Sequence, residues 1–355
     1  MYKGQVQLPQ MNKVSKFFII LGLVPAGAMA MDIPHDSTRN KQDTVFIKRY
    51  SDKLIVKLDI DNDINQYLLT GDGFKYDIRP NVGPAKTLSA SYQWAYLAIA
   101  YLPRITNPND YEKRRGETNG LGIGTGITTP HLLSDINYKK VSGFYLYNTE
   151  DYIDNWDPKT DDYIQFPDLQ VWMIRGTTKY KLNPNYSIRA IQYQTEAQRK
   201  SAASFVPELN YNYYVIDNSS ETAASSQKSN NLQVLAQLNY YGTWVLHKRW
   251  YLAGGLGIGA GGSYTWLTTR MQNGETIHSS LSSFVMRGVV HTGIGYNAER
   301  FISGAELFYH KSYSQQQNGV VDMQFTRIAF QVFVGYRFKT PKFLVRDVDF
   351  VNKIF

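Results

Sequence analysis

Three groups of residues have the types that catalysis, binding or conduction would require. The first is His278, followed by Ser279, Ser280, Ser282 and Ser283 and preceded by Glu275. A serine attacks an ester only when a base takes its proton, commonly a histidine steered by a carboxylate. Neighbours along a polar stretch do not make that geometry. Of the other histidines, His35 falls in a polar leader, His131 and His247 at turns, and His291 and His310 within alternating segments. An outer-membrane hydrolase or acyltransferase is therefore the alternative reading, with no catalytic residue assigned. The second group is Arg287, Glu306 and Arg327, on the same face of three successive alternating segments. A structural ion-pair ladder is the preferred reading and a selectivity filter the alternative. The third lies in residues 143–168, where Glu150, Asp151, Asp154, Asp157, Asp161 and Asp162 mingle with Tyr152, Trp156 and Tyr163. Carboxylates suit Ca²⁺ and aromatic rings suit sugars, but the spacing is not that of an EF-hand, and a solvated acidic loop is preferred.

Gly257, Gly259 and Gly262 match G-x-G-x-x-G. A dinucleotide fingerprint needs a strand–turn–helix around it. Here the glycines continue at period two from 255 to 261, and again from 120 to 126, inside segments with strand patterning. They read as bending points and space for large neighbours. No cofactor and no metal site is assigned. The chain has no Cys, which excludes disulfides, thiolate catalysis and cysteine metal centres.

The elements that must carry these residues are strands. In residues 324–338 the apolar Ile328, Phe330, Val332, Val334, Tyr336 and Phe338 alternate with Arg327, Ala329, Gln331, Phe333, Gly335 and Arg337. Successive side chains of a strand point to opposite faces, so one face is oily throughout and the other partly polar. Residues 232–244, 250–258, 284–296 and 301–309 repeat the pattern. Most such segments run about 9–15 residues; membrane-spanning strands need about 9–11 and soluble strands average about 5–6. Tight connections near 94–96, 128–131, 183–185, 247–249 and 297–300 alternate with long polar ones at 105–117, 143–168, 217–230, 269–283 and 314–320. Short turns on one rim and long loops on the other are the pattern of outer-membrane barrels.

The crossing count has one conflict. Between the turns at 183–185 and 247–249 the chain must cross an even number of times, yet 186–195, 201–216 and 232–245 all qualify. Pro207 makes 201–216 the weakest of the three. Discarding it leaves about twelve strands; splitting it gives fourteen. Residues 54–61 are left as a short strand or an inward plug.

Lys13 and Lys16, an apolar run at 17–24 and Ala28-Met29-Ala30 read as a secretory signal peptide beginning at Met11. The formal charge of +8 is spread thinly, and an exported protein meets little nucleic acid, so none is expected as a partner. Lys113-Arg114-Arg115 and His247-Lys248-Arg249 are preferred as solvated loop ends, with lipopolysaccharide phosphates or anionic headgroups as the sharper alternative.

Arg79-Pro80-Asn81, Phe166-Pro167-Asp168, Asn183-Pro184 followed by Tyr186-Ser187, and Gln198 with Ser201-Ala202-Ala203-Ser204 add a further clue. With the layout from residue 50 to 338, these residues resemble the domain-of-unknown-function 4421 family, exported β-barrels of Bacteroidetes. Ala203 stands where the family's Ser-Ala-Gly-Ser pattern has glycine. The resemblance implies an outer-membrane barrel and brings no catalytic residues.

The expectation is thus an all-β protein, a transmembrane antiparallel up-and-down β-barrel. Residues 1–30 are upstream residues and signal peptide, and 31–72 a periplasmic leader. Residues 73–338 form the barrel and 339–355 a periplasmic tail. Its partners are outer-membrane lipid, lipopolysaccharide, the barrel assembly machinery and an unknown small molecule. Its role is passive transport or binding of small solutes or envelope molecules, with an enzyme or surface adhesin as alternatives.

Overall fold

A computed structural model describes residues 45–342 apart from 72–73, 103–112, 220–224, 248 and 317–320, together with 344–345. The expected signal peptide, most of the expected leader and the expected tail beyond 345 lie outside the described residues. Fifteen strands are described: β1 (Ile47–Arg49), β2 (Lys53–Gly71), β3 (Phe74–Arg79), β4 (Ala85–Tyr92), β5 (Ala95–Leu102), β6 (Asn119–Thr128), β7 (Leu132–Leu146), β8 (Gln165–Tyr180), β9 (Glu196–Gln198), β10 (Ala202–Asn218), β11 (Ser225–His247), β12 (Trp250–Met271), β13 (Thr276–Asn297), β14 (Phe301–Gln316) and β15 (Val321–Lys339). One short helix, α1 (Ile188–Gln192), lies between β8 and β9.

Twelve strands close into an antiparallel barrel in the order β2, β4, β5, β6, β7, β8, β10, β11, β12, β13, β14, β15. The last strand returns to the first, pairing from Lys339↔Lys53 to Val321↔Gly71. Closure leaves no open edge, the condition for placing a sheet in hydrocarbon. The oily faces point outward, with Leu256 65% and Ile258 76% exposed. Asn239, in contrast, is 0% exposed on the inner face. A soluble sandwich would reverse this. Exposed Trp244, Trp250, Phe301 and Phe338 ring the rim of tight turns, as interfacial aromatics do, and Trp266, Phe284 and Tyr313 stand further along the same outer face.

Glycines make the inner face passable for large rings. A Cβ at Gly255 would lie 2.1 Å from Cδ1 of Tyr241, and one at Gly257 would lie 2.0 Å from Oδ1 of Asn239. The glycine run is therefore packing space within β12. At the loop end of β7 the register shifts between Ser142 and Phe144. Gly143 there has φ +84, and a Cβ would meet the Glu117 carbonyl oxygen at 2.0 Å, so the bulge requires glycine.

The structure corrects several sequence expectations. The barrel begins at Lys53, not at residue 73. Residues 54–61 belong to a full crossing, β2, with Leu58 and Ile60 outward and Lys57 and Asp59 inward. The two inward charges neutralise each other at 3.0 Å. Residues 74–79 return as β3 along the end of β2 and touch β7 only at Ile78 and Arg79. Between β8 and β11 the crossing to keep is 201–216, which is β10. Phe205 turns its carbonyl toward Leu182 on the β8 side. Two residues on, Pro207 faces the same way, one residue short of the β8 ladder that starts at Glu208, so its missing N–H costs no ladder bond. The segment to discard is 186–195, which enters the barrel as α1 and its flanks. Finally, β12 and β13 run on to Met271 and Thr276, so the connection drawn at 269–283 shrinks to four residues and His278 stands on a strand.

Candidate functional site

The segment from 183 to 198 closes the turn-rim mouth of the barrel. Ser187 accepts the Ala190 amide at 2.9 Å and so caps α1. Tyr186, Ile188 and Tyr193 then bury themselves against Leu133 and Val206 on the inner wall. Tyr193 stacks on Tyr96 at 4.4 Å. β9 pairs with β1, so a stretch of the chain before the barrel forms part of the same closure.

An ionic knot holds this plug. Glu196, 2% exposed, meets Arg49 Nε at 3.2 Å and Arg189 Nη1 at 3.3 Å, and accepts the Ser187 hydroxyl at 2.5 Å. Burial alone would raise its pKa; Arg189, the Ser187 hydroxyl, Arg49 and Lys181 outweigh it and hold the carboxyl below its usual range. Burial brings the Lys181 ammonium down to about 8 against the pull of Glu196. From the barrel wall, Arg337 donates to the Gln194 carbonyl at 3.2 and 2.6 Å and to Asn297 Oδ1 at 2.7 Å, with its guanidinium 3.8 Å from the Tyr50 ring centre.

At the loop rim Leu102, Val141, Phe144, Leu169 and Val171 form a second apolar cluster inside the barrel. Between it and the plug lies a cavity of about 470 Å³. That is within the range of small-molecule sites. Its walls carry Asp135, Arg175, Lys179, Glu208, Asn210, Arg287, His291, Glu306, His310 and Arg327. The plug reaches into it through Gln192, whose Oε1 is 3.4 Å from Lys179 Nζ.

Arg287, Glu306 and Arg327 all face this cavity, but Arg287 and Glu306 are not rungs of one ladder. Arg287 stands opposite Ser312, whereas Glu306 stands opposite Gly293 and Gln331. Six residues of β14 separate those levels, about 20 Å at ~3.3 Å per residue. Glu306 pairs instead with His291 Nε2 at 3.7 Å. The His291 ring stacks on Phe308 at 4.5 Å with Tyr241 edge-on at 6.2 Å. Face could be read from the sequence; height along the barrel could not.

The other candidates form no reactive constellation among the described residues. His278 is exposed, with Nδ1 3.2 Å from Thr268 Oγ1. Two carboxylates of the acidic loop bind its own backbone: Asp161 accepts the Asp157 amide and Asp157 the Lys159 amide, both at 2.9 Å. No cluster of three metal-ligating side chains occurs among the described residues. Arg115 packs over Tyr145 and Tyr163, and Arg249 donates to the Tyr296 hydroxyl at 3.2 Å.

The residues that carried the family resemblance turn out to dock the plug and the outer turns. Gln198 Oε1 accepts the Ser187 amide at 2.9 Å. Ser204 Oγ accepts the Leu182 and Asn183 amides at 3.1 and 2.9 Å. Asn81 donates to the Gly116 carbonyl at 2.7 Å.

Closed barrel, oily exterior and charged, plugged interior together define a transmembrane β-barrel of the outer-membrane type. Residues 41–338 match the profile of the Domain of unknown function (DUF4421), and the chain belongs to that family. No curated protein matches it in sequence. Among solved structures it is similar to the outer membrane protease OmpT from Escherichia coli, at 8% identity and TM-score 0.39, over 82% of this chain and 98% of that one. The COG4313 outer membrane channel from Pseudomonas putida F1 gives 12%, 0.33, 81% and 95% respectively. The toluene transporter TodX of P. putida gives 8%, 0.30, 82% and 91%. Scores this low carry no information about activity.

Proposed function

We propose that the protein resides in the outer membrane of a Gram-negative cell and binds a small solute in its lumen, with release governed by the plug. The observation that carries this reading is the cavity of about 470 Å³ lying between the plug and the loop-rim cluster. On this reading the turn rim and β1 face the periplasm, lipopolysaccharide surrounds the loop rim, and the barrel assembly machinery inserts the chain. A membrane of Bacteroidetes type is in keeping with the family resemblance. Passive diffusion through a standing pore fits poorly, because the plug fills the exit.

The test is conductance in planar bilayers. Wild type should be mostly silent, while replacing 186–195 with a Gly-Ser linker should give steady channels. Equal conductance in the two proteins would refute a gating plug.

A further inference from the structure

Arg175, Lys179, Arg287, His310 and Arg327 reach one cavity from four different strands, β8, β13, β14 and β15. Arg327 is directly opposite His310. Arg287 donates through Nε to Ser312 Oγ at 2.9 Å, two residues from His310 on the same face. Its Nη2 donates to Gln233 Oε1 at 3.0 Å, which also accepts Asn212 Nδ2 at 3.3 Å. Asn212 in turn stands opposite Arg175. The charges of Arg175, Glu208 and Arg327 all act on Arg287, and those of Arg175, Lys179, Arg287 and Arg327 on His310.

Such a gathering repels itself, and more strongly inside a protein than in water. Neither Arg287 nor Lys179 has a carboxylate within ion-pair distance among the described residues; their partners are Ser312, Gln233 and Gln192. Glu208, Asp135 and Glu306 act on Lys179 across the cavity without reaching ion-pair distance. Glu208 accepts Asn239 Nδ2 at 2.9 Å and Asp135 accepts Asn137 Nδ2 at 2.9 Å. At Arg287 the like charges of Arg175 and Arg327 face Glu208 as the opposing carboxylate. Asn210 lines the same cavity, 5% exposed, with its Nδ2 donor unpartnered. It stands opposite Thr177, midway between Arg175 and Lys179 on their strand. Half-buried cations on neutral partners and an idle donor are the mirror image of an anion. Phe308 and Phe325 line the same space and offer apolar surface beside the charge.

We propose that the lumen cluster binds a small organic anion, a carboxylate or phosphate group on an apolar or aromatic body. This rests on the solute-binding reading of the cavity and names the class of solute. Arginine forks suit both groups. The location inside a plugged barrel favours a free solute over a lipid headgroup.

The test uses the full chain refolded in detergent and titrated calorimetrically with benzoate, phenyl phosphate, benzyl alcohol and benzylammonium. At least one of the two anions should bind about tenfold or more tighter than benzyl alcohol. Arg287→Gln and Lys179→Gln should each weaken that anion by about tenfold, the loss of one charge-assisted contact. Both variants should keep the heat-modifiable migration of a folded barrel, and if one does not, the other decides. Vesicles containing phosphatidylglycerol should not compete. Equal binding of anions and benzyl alcohol, or anion binding unchanged in a folded variant, overturns the anion site while leaving a solute-binding lumen standing. Competition by the vesicles overturns the free-solute assignment. Silence from all four probes sinks both readings.

Discussion

Replacing Glu196 with glutamine should undock the plug without unfolding the barrel. The substitution keeps the shape and an acceptor for Ser187 but leaves Arg49 and Arg189 facing a neutral amide. Their side chains are 26% and 15% exposed, so they remain partly shielded from water. Removing one partner of a buried ion pair costs about 3–5 kcal/mol, and the partial exposure of Arg49 points to the lower end. At 1.4 kcal/mol per decade, about 3 kcal/mol raises the population of undocked plug roughly a hundredfold. Hydrogen exchange of the amides in 183–198 should accelerate by a similar factor, while β12 and β13 amides stay protected. Acid should mimic the substitution. The folded carboxyl lies below its unfolded value, so its contribution is complete above the ordinary carboxyl range and fades as pH falls through the lower value. Wild type should therefore loosen in strong acid, and Glu196→Gln should show no such loss. If exchange in 183–198 is unchanged in the variant, the ionic knot does not hold the plug.

Two further outcomes follow from the two faces of β12. Ile258→Lys places a charge where the side chain meets hydrocarbon and should lower barrel stability by about 2–4 kcal/mol, read as urea unfolding from lipid vesicles. Gly255→Val should fail to assemble or melt earlier on a heat-modifiability gel, because its Cβ would overlap Tyr241, and an accompanying Tyr241→Ala should recover part of the loss.

The alternation of Ile328 to Phe338 carried the architecture, because period two is written in the residues themselves. The crossing-parity conflict pointed to the right stretch and the wrong segment. Tyr186, Ile188, Ala190 and Ile191 are apolar because a plug is buried all round, and within ten residues that cannot be told from a strand. Pro207 looked disqualifying only because the side it faces was unknown. β2 was ambiguous because Lys57 and Asp59 point inward together, and their mutual pairing is invisible in sequence. The cation cluster was missed for a related reason. Arg175 and Lys179 meet Arg287, His310 and Arg327 only once the sheet closes, and closure across twelve strands leaves no local signature. Arg337 is legible in the sequence as a charge on the face opposite the oily one near the end of the last strand, but its target in 183–198 is not.

The chain has no Cys, so single cysteines can be introduced one at a time along β13 and spin-labelled in lipid vesicles. The informative series runs 284 to 290, where a side chain at Gly288 meets open space. Labels at 284, 286, 288 and 290 should be relaxed by oxygen dissolved in the bilayer, and those at 285, 287 and 289 should be shielded from it. A series without that two-residue alternation, or with its phase reversed, would contradict a barrel that turns its apolar face to lipid.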